Sequence, residues 1–279
     1  MLDGIRPGPG LMGSKQPSIA VVVSTFNAPE YLRRVLEGYL AQSRYPGELI
    51  VADDGSTEET ARVVERFAND APFAVRHVWH ENLGFRLAEI RNRAIAASTA
   101  DYLIFSDGDC IPHPIFVEDH GRLLRQGSFV TGKRILVGQG LSKNFSWRGG
   151  VTSLLSCLKG ELSGGHHLLR LPWLSLSRQG SKGLRGCNMA AFREDLLVVN
   201  GFNERITGWG REDSELVARL FAYGLTRREA PFAAVVLHLW HPENSRSSLD
   251  ENDRVLEEAL VSGNFRCPYG IVKDVEIEL

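Results

Sequence analysis

Cysteine is scarce in this chain: Cys110, Cys157, Cys187 and Cys267 are the four among 279 residues, far apart and never in a C-x-x-C pair. That spacing suggests neither a zinc site nor a disulfide framework, and a reducing compartment fits it best. Long apolar runs are missing as well. No stretch approaches the roughly 18 consecutive apolar residues of a spanning helix, so any membrane contact is expected to be peripheral. The first seventeen residues, rich in Gly and Pro and carrying Asp3, lack the apolar core of a signal peptide and read as a flexible tail. An excess of one charge is the third absence. Lys and Arg number 32 against 34 Asp and Glu, a net charge of -2, which gives no electrostatic case for a nucleic-acid partner. What remains is the balance of a soluble globular protein, long enough for one large α/β domain or two small ones. Nothing in it fixes an oligomeric state.

Strand and helix signals alternate through the first half. Ile19 to Val23 is a continuous apolar run, and Tyr31, Leu32, Val35, Leu36, Tyr39 and Leu40 then recur at helical spacing behind Pro29, which suits a first helical turn. A second strand, Leu49 to Ala52, ends in Asp53-Asp54-Gly55, and Ser56 with Glu59 predicts a capping box for the next helix. A third strand is expected over Ala74 to Trp79, a helix from about Phe85 to Ala97, and a fourth strand from Tyr102 to Ser106. This alternation predicts an α/β fold: a mostly parallel sheet flanked by helices. In such sheets ligands bind beyond the carboxyl ends of the strands, where Thr25-Phe26-Asn27, Asp53-Asp54 and Asp107-Gly108-Asp109 all fall.

Asp107 and Asp109 are two apart, so an extended backbone aims both carboxylates the same way while Gly108 keeps the approach clear. Two hard oxygens suit a divalent cation carrying a phosphate; a capped, solvated turn is the plainer alternative. Asp53-Asp54 can accept hydrogen bonds from a base or ribose, or simply open the following helix. Arg86, Arg91 and Arg93 lie on the third helix, where guanidinium groups can grip a diphosphate or remain solvated. Further on, Trp209 between two glycines can offer its face to a sugar, and Glu212 and Asp213 open a helix whose N-terminus favours an ionised carboxylate able to accept a proton; helix capping explains the same residues. His238 and His241, at the end of a strand predicted from Ala233 to Leu237, can reach the same cation or serve as structural hydrogen-bonders. Between them, Gly138 to Gly186 is irregular, broken by Trp147-Arg148, Leu154-Leu155 and the run Leu168 to Leu174; it reads as an acceptor loop, an interfacial segment or a helical insertion. The last helix is expected from Ser248, boxed with Glu251, to Gly263.

Val22-Val23-Ser24-Thr25-Phe26-Asn27, Val51-Ala52-Asp53-Asp54-Gly55-Ser56 and Phe105-Ser106-Asp107-Gly108-Asp109 resemble, in order, the signatures of family-two glycosyltransferases with the GT-A fold. Gly208-Trp209-Gly210-Arg211-Glu212-Asp213 and His238-Leu239-Trp240-His241 resemble the acceptor half of β-1,4-galactosyltransferases and chondroitin-type N-acetylgalactosaminyltransferases. The resemblance spans roughly residues 18 to 245 and implies a nucleotide-sugar-binding half (18–137), a variable acceptor- or membrane-facing segment (138–185), an acceptor and catalytic half (186–246) and a C-terminal helix and tail (247–279). It implies that Thr25 lines the nucleotide pocket with Asn27 beside it, and that Asp54 contacts uracil. It further implies that Asp107 and Asp109 hold Mn²⁺, with Mg²⁺ as the alternative, against the diphosphate of a UDP-sugar. Asp213 is then the catalytic base, Glu212 and Trp209 position the acceptor, and His241, with His238 kept open, completes the metal shell. Arg211 departs from the galactosyltransferases, which have Gly there. The implied activity is inverting hexosyl transfer to a glycan or lipid-linked glycan in cell-envelope polysaccharide or lipopolysaccharide synthesis, in the cytoplasm or at the inner membrane face. A nucleotide-sugar-forming nucleotidyltransferase and a non-catalytic carbohydrate-binding subunit are the rival readings.

Overall fold

The computed structural model describes residues 16–143, 145, 159–180, 183–184, 186–242 and 245–273. Most of the expected tail, Trp147-Arg148, Leu154-Leu155 and Cys157 lie outside the described residues. The chain runs β1 (Ile19–Thr25), α1 (Pro29–Leu40), β2 (Glu48–Asp53), α2 (Glu58–Asp70), β3 (Ala74–Trp79), α3 (Leu87–Ala97), β4 (Tyr102–Asp107), β5 (Cys110–Pro112), α4 (Phe116–Leu123), β6 (Ser128–Thr131), β7 (Lys133–Val137) and the short α5 (Gln139–Ser142). Then follow β8 (Leu162–Ser163), β9 (Leu176–Arg178), β10 (Asn188–Phe192), α6 (Arg193–Val198), α7 (Glu212–Ala222), β11 (Thr226–Glu229), β12 (Val235–His238) and α8 (Leu249–Ser262).

An eight-stranded sheet, ordered β3-β2-β1-β4-β10-β6-β11-β9, forms the middle layer, and a four-stranded sheet, β5-β12-β7-β8, lies beside it. From β3 to β4 the strands are parallel, as expected; β10 then enters antiparallel to both β4 and β6, so the sheet is mixed. The alternation of a strand explains the layers. Val21, Val23, Leu49, Val51 and Ile104 face one apolar cluster with α1, α2 and α4, whereas Ala20, Val22, Ile50, Ala52, Leu103 and Phe105 face the other with α3, α6 and α7. β3 is the exception to the doubly apolar pattern: as an edge strand it has no fully buried residue.

Neither predicted capping box forms. The helix after β2 starts one residue late, with Thr57 at its N-cap and no side-chain cap bond. Ser56 is used otherwise, its N–H donating to Asp53 Oδ1 and its hydroxyl accepting from the Asn27 N–H. Ser248 does precede α8, but its side chain makes no cap bond either. The described part of the irregular segment holds the four-residue α5, two short strands and a 3₁₀ turn, and is tied down by Arg170, which donates to both oxygens of the buried Asp119 at 2.7 and 2.9 Å. No helix among the described residues is long and apolar enough to cross a membrane.

Candidate active site

Parallel pairing aligns the chemistry. Thr25 is level with Asp53, and Ser24 with Asp107, so the ends of β1, β2 and β4 open onto one crevice. β10 starts at the same edge, Asn188 opposite Ser106, and β12 ends beside β5, His238 opposite Cys110. Residues from both halves of the chain therefore line a single cleft.

At one corner, the Asp54 carboxylate is buried between His80 Nε2 at 2.6 Å and the Arg86 backbone N–H at 2.9 Å. Burial raises its pKa, with His80 and Arg86 opposing. Asp53 is buried too and engages His77 at 2.9 Å. Asn27, at φ 44, joins β1 to this turn: its side-chain oxygen accepts the Thr57 N–H at 3.0 Å. His77 and His80 were not anticipated; β3 pairing beside β2 is the signal that could have found them.

The three arginines of the third helix separate. Arg86 spends its guanidinium on Glu89 and the Glu81 carbonyl, and Arg93 pairs with Glu89 on the exposed side. Of the three, Arg91 is the one that bonds to Asp107. It is 1% exposed, donates to Ser24 Oγ and, at 2.9 Å, to Asp107 Oδ1, and its Nη1 lies 3.7 Å from Glu212 Oε1. The Phe202 ring backs it at 5.3 Å. Arg91 Nη1 and Thr25 Oγ1 are buried with no hydrogen-bond partner among the described residues.

Asp213 closes the same pocket. A Cβ placed on Gly186 would meet Asp213 Cβ at 3.1 Å and Arg91 Nη1 at 3.5 Å, so these three are packed together. Burial, then the neighbouring Asp213 charge, push Glu212 up to about 7, with Arg91 opposing. Burial raises Asp107 as well, against Arg91. Gly108 is confined: a Cβ there would lie 3.0 Å from Thr25 Oγ1 and 3.1 Å from the Ser24 carbonyl.

Asp109 faces the histidines. His241 Nε2 is 3.1 Å and His238 Nε2 3.7 Å from Asp109 Oδ2. Burial works to raise Asp109, but the His241 hydrogen bond and the His238 charge outweigh it and hold the carboxyl low. In return Asp109 lifts His241 to about 9, while burial lowers His238. One carboxylate flanked by two imidazoles, with a second carboxylate two residues away in the chain, is a donor set whose chemistry fits a divalent first-row cation.

Trp209 sits at the rim, 39% exposed, with the Arg246 guanidinium over its ring at 5.3 Å. Arg211, at φ 81, takes a left-handed conformation that favours glycine, and pairs with Asp253 of α8.

A family model for the N-terminal domain of galactosyltransferase matches residues 176–242. Validoxylamine A glucosyltransferase from Streptomyces hygroscopicus subsp. limoneus is 30% identical over 241 residues, 79% of this chain and 51% of the relative. Chondroitin synthase from Pasteurella multocida (strain Pm70) is 25% identical over 246 residues, 79% of this chain but 24% of that protein. The chain thus spans about half the length of the first and about a quarter of the second. The crystal structure of S. aureus TarS 1-349 in complex with UDP superposes with a TM-score of 0.58 at 17% identity, covering 87% of this chain and 65% of that one, a likeness that establishes the GT-A-like fold. The model for glycosyl transferase family 2 matches residues 20–164, more than half of the 279 and nearly all of the stretch from β1 through the aspartate pair; the chain belongs to that family.

Proposed function

We propose that the protein is a metal-dependent inverting glycosyltransferase, moving a hexose or N-acetylhexosamine from a UDP-sugar to a hydroxyl of a growing glycan in cell-envelope polysaccharide or lipopolysaccharide synthesis. One observation carries the reading: Arg91 is held between Asp107 and Glu212, which joins the phosphate end of the crevice to the proton-accepting end.

Asp107, Asp109, His241 and His238 would hold Mn²⁺ or Mg²⁺, which when bound supplies positive charge against a departing diphosphate. Arg91 Nη1 and Thr25 Oγ1 offer their unused donors to the same phosphates, and Asp54 and Asn27 border the base. Asp213 removes the proton from the acceptor hydroxyl as that oxygen attacks the anomeric carbon from the side opposite UDP, so one displacement inverts the centre. Glu212 orients the acceptor beside it, and Trp209 stacks on the acceptor sugar once Arg246 moves aside. Residues 18–137 serve as the donor half and 186–246 as the acceptor half. Leu169 and Trp173, exposed at 63% and 77%, support an acceptor- or membrane-facing role for the segment between.

Thermal shifts with UDP-Gal, UDP-GalNAc, UDP-Glc and UDP-GlcNAc, each with and without Mn²⁺, test the donor class: stabilisation by at least one, greater with the ion, is expected. Asp213→Asn should lose about 10²–10⁴ in turnover while still binding UDP, the usual scale of general base help. Full turnover in that variant removes Asp213 from the role.

A further inference from the structure

The fold brings together two cysteines that the sequence keeps far apart. Cys110 opens β5 and Cys187 directly precedes β10, both buried, and their sulfurs lie within 4.8 Å of each other and of a carboxylate oxygen of Asp107. Cys110 Sγ also lies within 4.8 Å of donor atoms of Asp109 and His238, and donates to Asp109 at 3.2 Å. We propose that Cys110, Cys187 and Asp107 form a binding site for a thiophilic divalent cation, Zn²⁺ or Cd²⁺, side by side with the oxygen-and-imidazole set centred on Asp109.

Geometry and softness both favour this. Tetrahedral zinc with sulfur at about 2.3 Å and oxygen at about 2.0 Å sets its ligand atoms roughly 3.5–3.8 Å apart, so closing from at most 4.8 Å takes a shift of no more than about an ångström. The strands carrying the ligands are fixed by register: Asn188 pairs with Ser106 on β4, and Cys110 with His238 on β12. Thiolates select soft cations over Mn²⁺ or Mg²⁺, so the two sites discriminate by ligand type, not by affinity alone. Binding releases the thiol protons to solvent as the metal–sulfur bonds form. Because Asp107 belongs to both sets, a soft cation here withdraws that carboxylate from the phosphate end of the crevice. That consequence, inhibition by Zn²⁺ or Cd²⁺ in the presence of excess Mn²⁺, rests on the function proposed above; the binding itself does not.

The test uses the full chain, stripped with EDTA and kept reduced, titrated with Cd²⁺ alone. The wild type should bind one ion with the ultraviolet charge-transfer band of a cadmium–thiolate bond, unaffected by excess Mg²⁺. Cys187→Ser and Cys187→Ala should each weaken binding at least tenfold and lose the band, whereas Cys267→Ser should leave both unchanged. Cys187→Ser should also keep its Mn²⁺-supported transfer but tolerate Zn²⁺ that inhibits the wild type. X-ray absorption of the zinc-loaded wild type gives an independent reading that needs no variant: two sulfur ligands are expected. No band, a zinc shell without two sulfurs, or a band that survives both Cys187 substitutions overturns the proposal. Absence of transfer with every sugar nucleotide would instead count against the proposed function and leave the cadmium result standing.

Discussion

Glu212→Gln should change how stability depends on pH. The Glu212 side chain is 15% exposed, faces Arg91 Nη1 at 3.7 Å, and has its pKa lifted from 4.5 to about 7 by burial and by Asp213. An acid whose folded pKa lies above its unfolded value keeps a proton that the unfolded chain has lost. Its contribution is therefore complete below about pH 4.5 and is lost as pH rises toward 7, with no further change above. The lift is 7 minus 4.5, and at 1.36 kcal/mol per unit the loss is at most about 3 kcal/mol; sharing of the proton with neighbouring carboxylates brings the expectation to about 1–3 kcal/mol. Glutamine has the shape and no proton to lose. Urea unfolding of wild type and Glu212→Gln, in EDTA and without nucleotide, should give curves that diverge between about pH 4.5 and 7, with the variant gaining about 1–3 kcal/mol relative to wild type. Parallel curves would refute the reasoning, because they would mean that Glu212 ionises as easily in the cleft as in water.

Arg91→Lys should lower kcat/KM about 10–100-fold, since an ammonium cannot serve Ser24, Asp107 and Glu212 together; an unchanged value in steady-state kinetics would deny Arg91 its bridging role. Gly108→Ala should cost about 1–3 kcal/mol in urea unfolding, because its methyl group would press on Thr25 Oγ1 and the Ser24 carbonyl. Arg170→Ala leaves the buried Asp119 carboxylate with the Ala234 N–H but no counter-charge, and should destabilise by about 3–5 kcal/mol in the same assay.

The strands and helices that carry the site were legible because each announces itself locally: apolar runs on β1, β2 and β4, helical periodicity on α1, and acidic turns at the strand ends. What escaped depends on contacts between segments distant in sequence. Arg86, Arg91 and Arg93 are equivalent in a sequence, and only the rotation of α3 against β1 selects Arg91. Ser56 and Glu59 satisfy a capping pattern, yet the N–H of Asn27 claims the Ser56 hydroxyl first. His80 as the partner of Asp54, and Cys110 beside Cys187, follow from strand neighbours that no spacing rule reports. Arg211 stood out as a departure from glycine, and its left-handed backbone supplies the reason glycine suits the position.

β10 lies hydrogen-bonded between β4, which delivers Asp107, and β6, so the region matched by the second family model is woven into the sheet begun by the first. The two matched regions are therefore not interchangeable modules. A chimera that trades C-terminal portions between relatives must retain the pairing of Asn188 with Ser106, because that pairing sets where Gly186 meets Asp213. Crossovers after Phe192 preserve it. Fragments severed ahead of Asn188 would each carry a bare strand edge, and should regain solubility and turnover only when co-expressed.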